Sequence, residues 1–219
     1  MLVHPFIQTD YPVLQLQDKV SFALQLMDDF EVQHLAITSE EKWVGLIAKN
    51  DLLDADDNQS IASLSANFIQ SMVKADALLL LAVKQVAEQE LSLLPIVSES
   101  KELLGVITAQ TLLQQLSIYL GNEEPGAWIV LEIERRNYSF GEISRLIETN
   151  DAYITQLNTY TEPATGLVIV SIKINKMEIS DVIATFHRYE YVVRYYFGEE
   201  NYANELKDNY NHLMAYLNV

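Results

Sequence analysis

The chain writes one short phrase twice. "GLIAKNDLL", Gly45 to Leu53, returns as "GVITAQTLL", Gly105 to Leu113, and the likeness extends upstream, where "FALQLMDDFEVQHLAIT" lies over "LAVKQVAEQELSLLPIV". Ala23 falls on Ala82 and Ile37 on Ile96, a shift of 59 residues that becomes 60 at the paired glycines after a one-residue insertion near Lys101. A duplication constrains a fold more tightly than any local motif does. Two copies are too few for a solenoid, so the expectation is a pair of half-modules packed on each other.

Each copy has the same internal order. Val20, Ala23, Leu24 and Met27 recur at helical spacing, with Asp18 placed to cap them. "HLAIT" and "WVGLIA" then read as two short strands around the polar turn "SEEK", and "KNDLLDA" resumes helix. The second copy runs as a helix over Leu80–Glu90, strands "LLPIV" and "LLGVIT" around "SESK", and a helix from about Gln110. An extended lead-in, "YPVLQL", precedes the first helix.

A different accent begins after "LGNEEPGAW", where Gly121, Pro125 and Gly126 interrupt both periods. Ten of the twelve tyrosines follow it. Residues 1–125 carry 6 basic and 18 acidic side chains, and the remainder 8 and 13. The expected division is therefore a domain over 1–124, with repeats at about 8–58 and 68–120, and a second over 125–219. In the second, "AWIVLEIE", "AYITQLNTY", "GLVIVSIKI" and "EYVVRYYFG" read as strands, with helical faces at Phe140, Ile143, Leu146, Ile147 and at Ile179, Val182, Ile183, Phe186. The order β-α-β-β-α-β is ferredoxin-like. Leu206, Tyr210, Leu213 and Leu217 predict a closing amphipathic helix.

The net charge of −17 disfavours nucleic acid and anionic membrane surfaces, both of which need a cationic footprint. With no cysteine, thiolate chemistry and disulfides are excluded. The four histidines are isolated in sequence, and no metal site is expected. "DADDN" at 54–58 starts like a calcium loop, but Gln59 and Ser65 stand where its glycine and closing glutamate belong, so it reads as a solvated linker. No P-loop, dinucleotide fingerprint or nucleophile elbow occurs, so no catalytic residue is assigned. The longest apolar run, "ALLLLAV", is far short of a membrane span, and the beginning of the chain lacks a secretory pattern, which predicts a cytoplasmic protein.

"HLAIT…WVGLIAKNDLL" and "LLPIV…LLGVITAQTLL" resemble a pair of cystathionine-β-synthase-type (CBS) domains. The resemblance implies an α+β fold, a tandem CBS pair that dimerises, senses a small ligand such as AMP, ATP or S-adenosylmethionine, and regulates an unidentified protein partner. The family's nucleotide motif joins a glycine, a hydroxyl and a carboxylate. Here it is divided. Gly45 and Asp51 keep the glycine and carboxylate, with Ala48 in the hydroxyl position, whereas Gly105 and Thr108 keep the glycine and hydroxyl, with Thr111 in the carboxylate position. Two readings stand: these four residues form ligand clefts, or Asp51 and Thr108 merely end strands and open helices in a ligand-free dimerisation or scaffold module. Lys49 and Lys74 are candidates for a phosphate's charge.

"EIERRNYSFGEISRLIE" is similar to the first strand, ligand loop and first helix of an ACT domain, a ferredoxin-like (βαββαβ) regulatory module that commonly senses amino acids. The resemblance places Arg136, Asn137 and Tyr138 in the ligand loop, with Tyr138 where that family usually has glycine. The whole order, CBS pair then ACT-like domain, resembles the acetoin-utilisation B-type regulators and implies a non-catalytic regulatory protein.

Overall fold

The architecture is that of a computed structural model, which describes residues 1–199. It divides into two compact units, the first Met1–Tyr119 and the second beginning at Leu120. The predicted helix after residue 200 lies outside the described residues.

In the first unit each repeat contributes β-α-β-β-α. The first gives β1 (Val13–Gln15), α1 (Val20–Asp29), β2 (His34–Ser39), β3 (Lys42–Ala48) and α2 (Lys49–Leu53), and the second gives β4 (Val73–Lys74), α3 (Leu79–Glu88), β5 (Leu93–Val97), β6 (Leu103–Thr108) and α4 (Ala109–Tyr119). The sheets run β1-β2-β3 and β4-β5-β6, with the outer lead-in strand parallel to the middle one and the hairpin antiparallel. The middle strands have a neighbour on each side. All five residues of β5 and the first five of β2 are buried, and both strands accordingly read as continuous apolar runs rather than alternations. Helix α1 buries Val20, Ala23 and Met27 against this core, as its period predicts. Its cap differs from expectation. Lys19 occupies the cap position without a side-chain bond, while Asp18 turns back to accept from the Gln15 amide at 2.7 Å and closes the preceding turn.

The two repeats exchange their lead-in segments. Gln8, ahead of β1, pairs with Val106 on β6 of the second repeat; Ile69, ahead of β4, pairs with Leu46 on β3 of the first. The N-terminal residues also bond to the second repeat, Val3 N to Ala77 O and His4 N to Ala75 O, both at 3.0 Å, and Val3 is fully buried. The two hairpin turns bridge each other through Lys42 and Glu102. Each repeat therefore completes its sheet with chain belonging to the other.

The second unit is a four-stranded antiparallel sheet in the order β10-β7-β9-β8, built from β7 (Trp128–Ile133), β8 (Ile154–Thr161), β9 (Val168–Ile174) and β10 (Val192–Phe197). Helices α5 (Phe140–Glu148) and α6 (Ser180–Arg188) bury Ile143, Leu146, Ile147, Val182, Ile183 and Phe186 with Ile129, Leu131, Val170 and Ile172 of the sheet. This is the ferredoxin-like βαββαβ arrangement. Phe140 does not join the buried stripe; it lies in the first turn of α5 and stays exposed. The segment before β7 is tied to the sheet by Lys173, which is buried and donates through Nζ to the carbonyls of Gly121 and Glu124.

Candidate functional site

The divided motif falls at the same place in both repeats, where the last hairpin strand runs into the following helix. Its glycines sit beside irregularities in strand pairing: Gly45 faces Ile37 and Gly105 faces Ile96, each next to a register shift. What approaches each glycine is the exchanged lead-in chain. A Cβ on Gly105 would lie 2.6 Å from the Gln8 carbonyl oxygen and from Ile7 Cγ2, and its φ of +148° is one that side-chain-bearing residues rarely adopt. A Cβ on Gly45 would lie 2.9 Å from Phe68 Cβ.

The structure brings Gly45 and Asp51 to the Asn67–Gln70 segment. Asn67 Nδ2 donates to Asp51 Oδ1 at 2.8 Å, and Gln70 Nε2 donates to the Val44 carbonyl at 2.9 Å. Ala48 is the cap residue of α2 and offers no side-chain acceptor. In the second repeat, Thr108 does what Ala48 cannot. Its hydroxyl accepts from the Thr111 amide at 3.1 Å, capping α4, and donates to Thr111 Oγ1 at 2.9 Å. Gln8 completes this group, its Oε1 accepting from the Thr108 amide and from the Thr111 hydroxyl, both at 3.2 Å. Gly105 and Thr108 thus meet Gln8, a residue about a hundred positions away in sequence, and nothing local in "FIQTD" marks it as a partner.

Neither candidate cation is free. Lys49 pairs with Asp28, and Lys74 bonds both carboxylate oxygens of Glu99, which holds its ammonium above the ordinary lysine value. His34, read from sequence as isolated, opens β2 at only 8% exposure and bonds Ser92 at the start of β5: Ser92 N donates to Nδ1 at 3.1 Å. Burial pushes the His34 pKa down, against a smaller upward pull from the Asp51 carboxylate. Burial thus disfavours the imidazolium that would compensate the Asp51 charge. A separate groove of about 420 Å³ opens at the hairpin-turn end, bounded by Gln15, Thr38, Glu41 and Glu102; none of the four motif residues lines it.

In the second unit the three loop residues part company. Arg135–Asn137 form a short 3-10 turn. Arg136 points to solvent and pairs with Glu134 at 2.7 Å, Tyr138 is half-buried against the unit's core, and Asn137 alone lines a cavity of about 470 Å³. The cavity wall carries Glu132, Glu134, Glu142 and Glu190 with Tyr189 and Tyr191. Tyr191 donates to Glu142 Oε2 at 2.8 Å, and burial together with that bond pushes its phenol up to about 12. One of the amides at the start of α5 is already taken, since Ser139 Oγ accepts from Glu142 N. Four carboxylates on this wall disfavour the carboxylate of an amino acid and favour a cationic group. Among the described residues no group of three or more His, Asp or Glu side chains could hold a metal ion, and no helix is long and apolar enough to cross a membrane.

These features define two interlocked repeats followed by a ferredoxin-like unit. Residues 67–118, the second repeat, match the family model for the CBS domain. A CBS domain pair/ACT domain protein of Thermotoga maritima is similar at 22% identity over 55% of this chain and 99% of its own, with a TM-score of 0.51. CBSX2, solved in complex with AMP, matches at 20% identity over 54% of this chain and 98% of its own, TM-score 0.47. A Vibrio cholerae protein provisionally assigned to acetoin utilization matches at 18% over 57% and 98%, TM-score 0.48. The second repeat is thus a CBS domain, the first unit has the fold of a CBS domain pair, and the second unit has the ferredoxin-like βαββαβ fold.

Proposed function

We propose that this is a non-catalytic regulatory protein whose CBS pair senses a small adenosine-containing ligand, AMP, ATP or S-adenosylmethionine, and passes its occupancy to a partner protein. The observation that carries the reading is Asp51. Its carboxylate lies in the first turn of α2, directly after β3, and among the described residues only Asn67 donates to it. A carboxylate has room for about four hydrogen bonds, which leaves acceptor capacity for a ribose diol. The working form is a homodimer. Phe22, Leu53, Leu81, Leu113 and Ile118, all on α1–α4, are more than two-fifths exposed, and a dimer that covers these helices would take them out of water.

The second cleft favours a different reading, a ligand-free dimerisation scaffold, because the Thr108 hydroxyl is already spent on Thr111. Thermal melting against AMP, ATP, S-adenosylmethionine and a panel of amino acids separates the two. A ligand at a hundred times its dissociation constant stabilises the folded state by about 2.7 kcal/mol and raises the melting temperature. A melting temperature that ignores the whole panel would establish the scaffold.

A further inference from the structure

The Gln8 backbone is fixed on both sides of the residue. Its amide donates to the Val106 carbonyl at 2.8 Å, and its carbonyl accepts from the Val106 amide at 2.9 Å. The side chain is under no such constraint, and it is placed on the two outward donors of the second motif, the Thr108 amide and the Thr111 hydroxyl. Thr111 is in turn the acceptor of the Thr108 hydroxyl, so the chain of bonds from Thr108 through Thr111 ends on a single oxygen, Gln8 Oε1. The first cleft repeats the arrangement with reversed polarity. There the motif ends in an acceptor, Asp51, and the exchanged segment supplies a donor, Asn67 Nδ2. The two amides do not come from equivalent registers, since Gln8 is itself the bridged residue and Asn67 precedes bridged Ile69 by two positions. Each lead-in segment nevertheless delivers an amide of the complementary sense to the last polar residue of the other repeat's motif.

The geometry points to an autoinhibitory contact: the Gln8 carboxamide is a resident acceptor that closes the second cleft, and an incoming phosphate oxygen gains the Thr108 and Thr111 donors only by turning that side chain away. The gate is a side-chain rotation, because the backbone bridge to Val106 stays in place. Its meaning for regulation rests on the clefts being ligand sites, but the contact and its competition with an anion are measurable without any nucleotide.

The test uses the full chain, with residue-resolved amide exchange and inorganic phosphate as the probe. Gln8→Ala removes the acceptor, and Gln8→Met removes it while keeping the length of the stem. In both, the Thr108 amide should exchange about tenfold faster, the scale of one net hydrogen bond. Val106 should keep its protection, and Gln8→Glu, which retains an acceptor oxygen, should keep Thr108 slow. Phosphate should then shift the Thr108 and Thr111 amide resonances in the Ala and Met variants at concentrations that leave the wild type unmoved. Unchanged Thr108 exchange overturns the contact. Phosphate shifts that are equal in wild type and variants, or absent from all, overturn the gate. Failure of AMP to bind any form, with the phosphate difference intact, would sink the adenosine reading and leave the gate standing.

Discussion

Gly105→Ala asks whether the motif glycine serves a ligand or the chain's own crossing. The native φ of +148° belongs to a region that is nearly exclusive to glycine, and holding a side-chain-bearing residue there costs about 1–3 kcal/mol. The new methyl would also stand 2.6 Å from the Gln8 carbonyl oxygen, so the lead-in segment must move. That movement endangers the two backbone bonds between Gln8 and Val106, at about 0.5–1.5 kcal/mol each. Together the loss is about 2–6 kcal/mol in the first unit. Gly45→Ala is the internal control. No left-handed φ is involved there; Gln70 Nε2 at 3.1 Å can swing aside but Phe68 Cβ at 2.9 Å moves only with its backbone, so about 1–3 kcal/mol is expected, without the added cost of φ. Urea unfolding followed by Trp43 fluorescence in a Trp128→Phe background reads the first unit alone. A Gly105→Ala loss below about 1 kcal/mol, or one smaller than that of Gly45→Ala, would refute the crossing argument.

Ala48→Thr should supply the missing cap of α2, stabilising the first unit by about 1 kcal/mol, and should tighten AMP about tenfold by calorimetry, a gain that Asp51→Ala removes. Acidification should weaken the first unit: because the folded His34 pKa lies below its ordinary 6.5, the unfolded chain takes up the proton first, and stability falls as pH drops through that value and is level above it. Melting temperatures at pH 7.5 and 5.5 should therefore differ less in His34→Gln than in wild type, and an equal difference counts against the buried neutral imidazole. Lys173→Met should cost the second unit about 1–3 kcal/mol by removing the bonds from its ammonium to the Gly121 and Glu124 carbonyls, read from the fluorescence of Trp128, whose ring lies 5.8 Å from Nζ; a change under about 0.5 kcal/mol would mean that those bonds are dispensable. Light scattering at micromolar concentration should return about twice the chain's 24.9 kDa, with Leu81→Glu/Leu113→Glu shifting it to the monomer value; a monomeric wild type would refute the interface on α3 and α4.

The elements of both units could be read from period and punctuation, because a strand such as "LLPIV" or a helical stripe such as Ile143–Leu146–Ile147 carries its burial pattern within a few residues. The exchange of segments could not. The pairing of Gln8 with Val106 joins chain too far apart for periodicity to register, and a two-residue strand such as β4 has no period at all. The candidate site is legible in part for the same reason. Gly45, Asp51, Gly105 and Thr108 stood out because they repeat, but what faces them, Asn67 and Gln8, lies in stretches that do not. Thr111, which looked like the absence of a carboxylate, is the middle link of a hydrogen-bonded chain. Asp18 shows the limit of capping signals, since its carboxylate found the Gln15 amide nearer than the helix.

The exchange of Gln8 and Ile69 also sets the order in which the first unit can become stable during synthesis. The ribosome releases the Gln8 segment long before Val106 exists, and that segment must wait, unpaired, while nearly a hundred further residues are made. The first repeat obtains its extra edge from Ile69 soon after its own hairpin is complete, whereas the second sheet closes only with chain made nearly a hundred residues earlier. Neither repeat can then be deleted, transplanted or unfolded without opening an edge in its neighbour. The two repeats should therefore unfold together, and a single unfolding transition for residues 1–119 would be the sign of it.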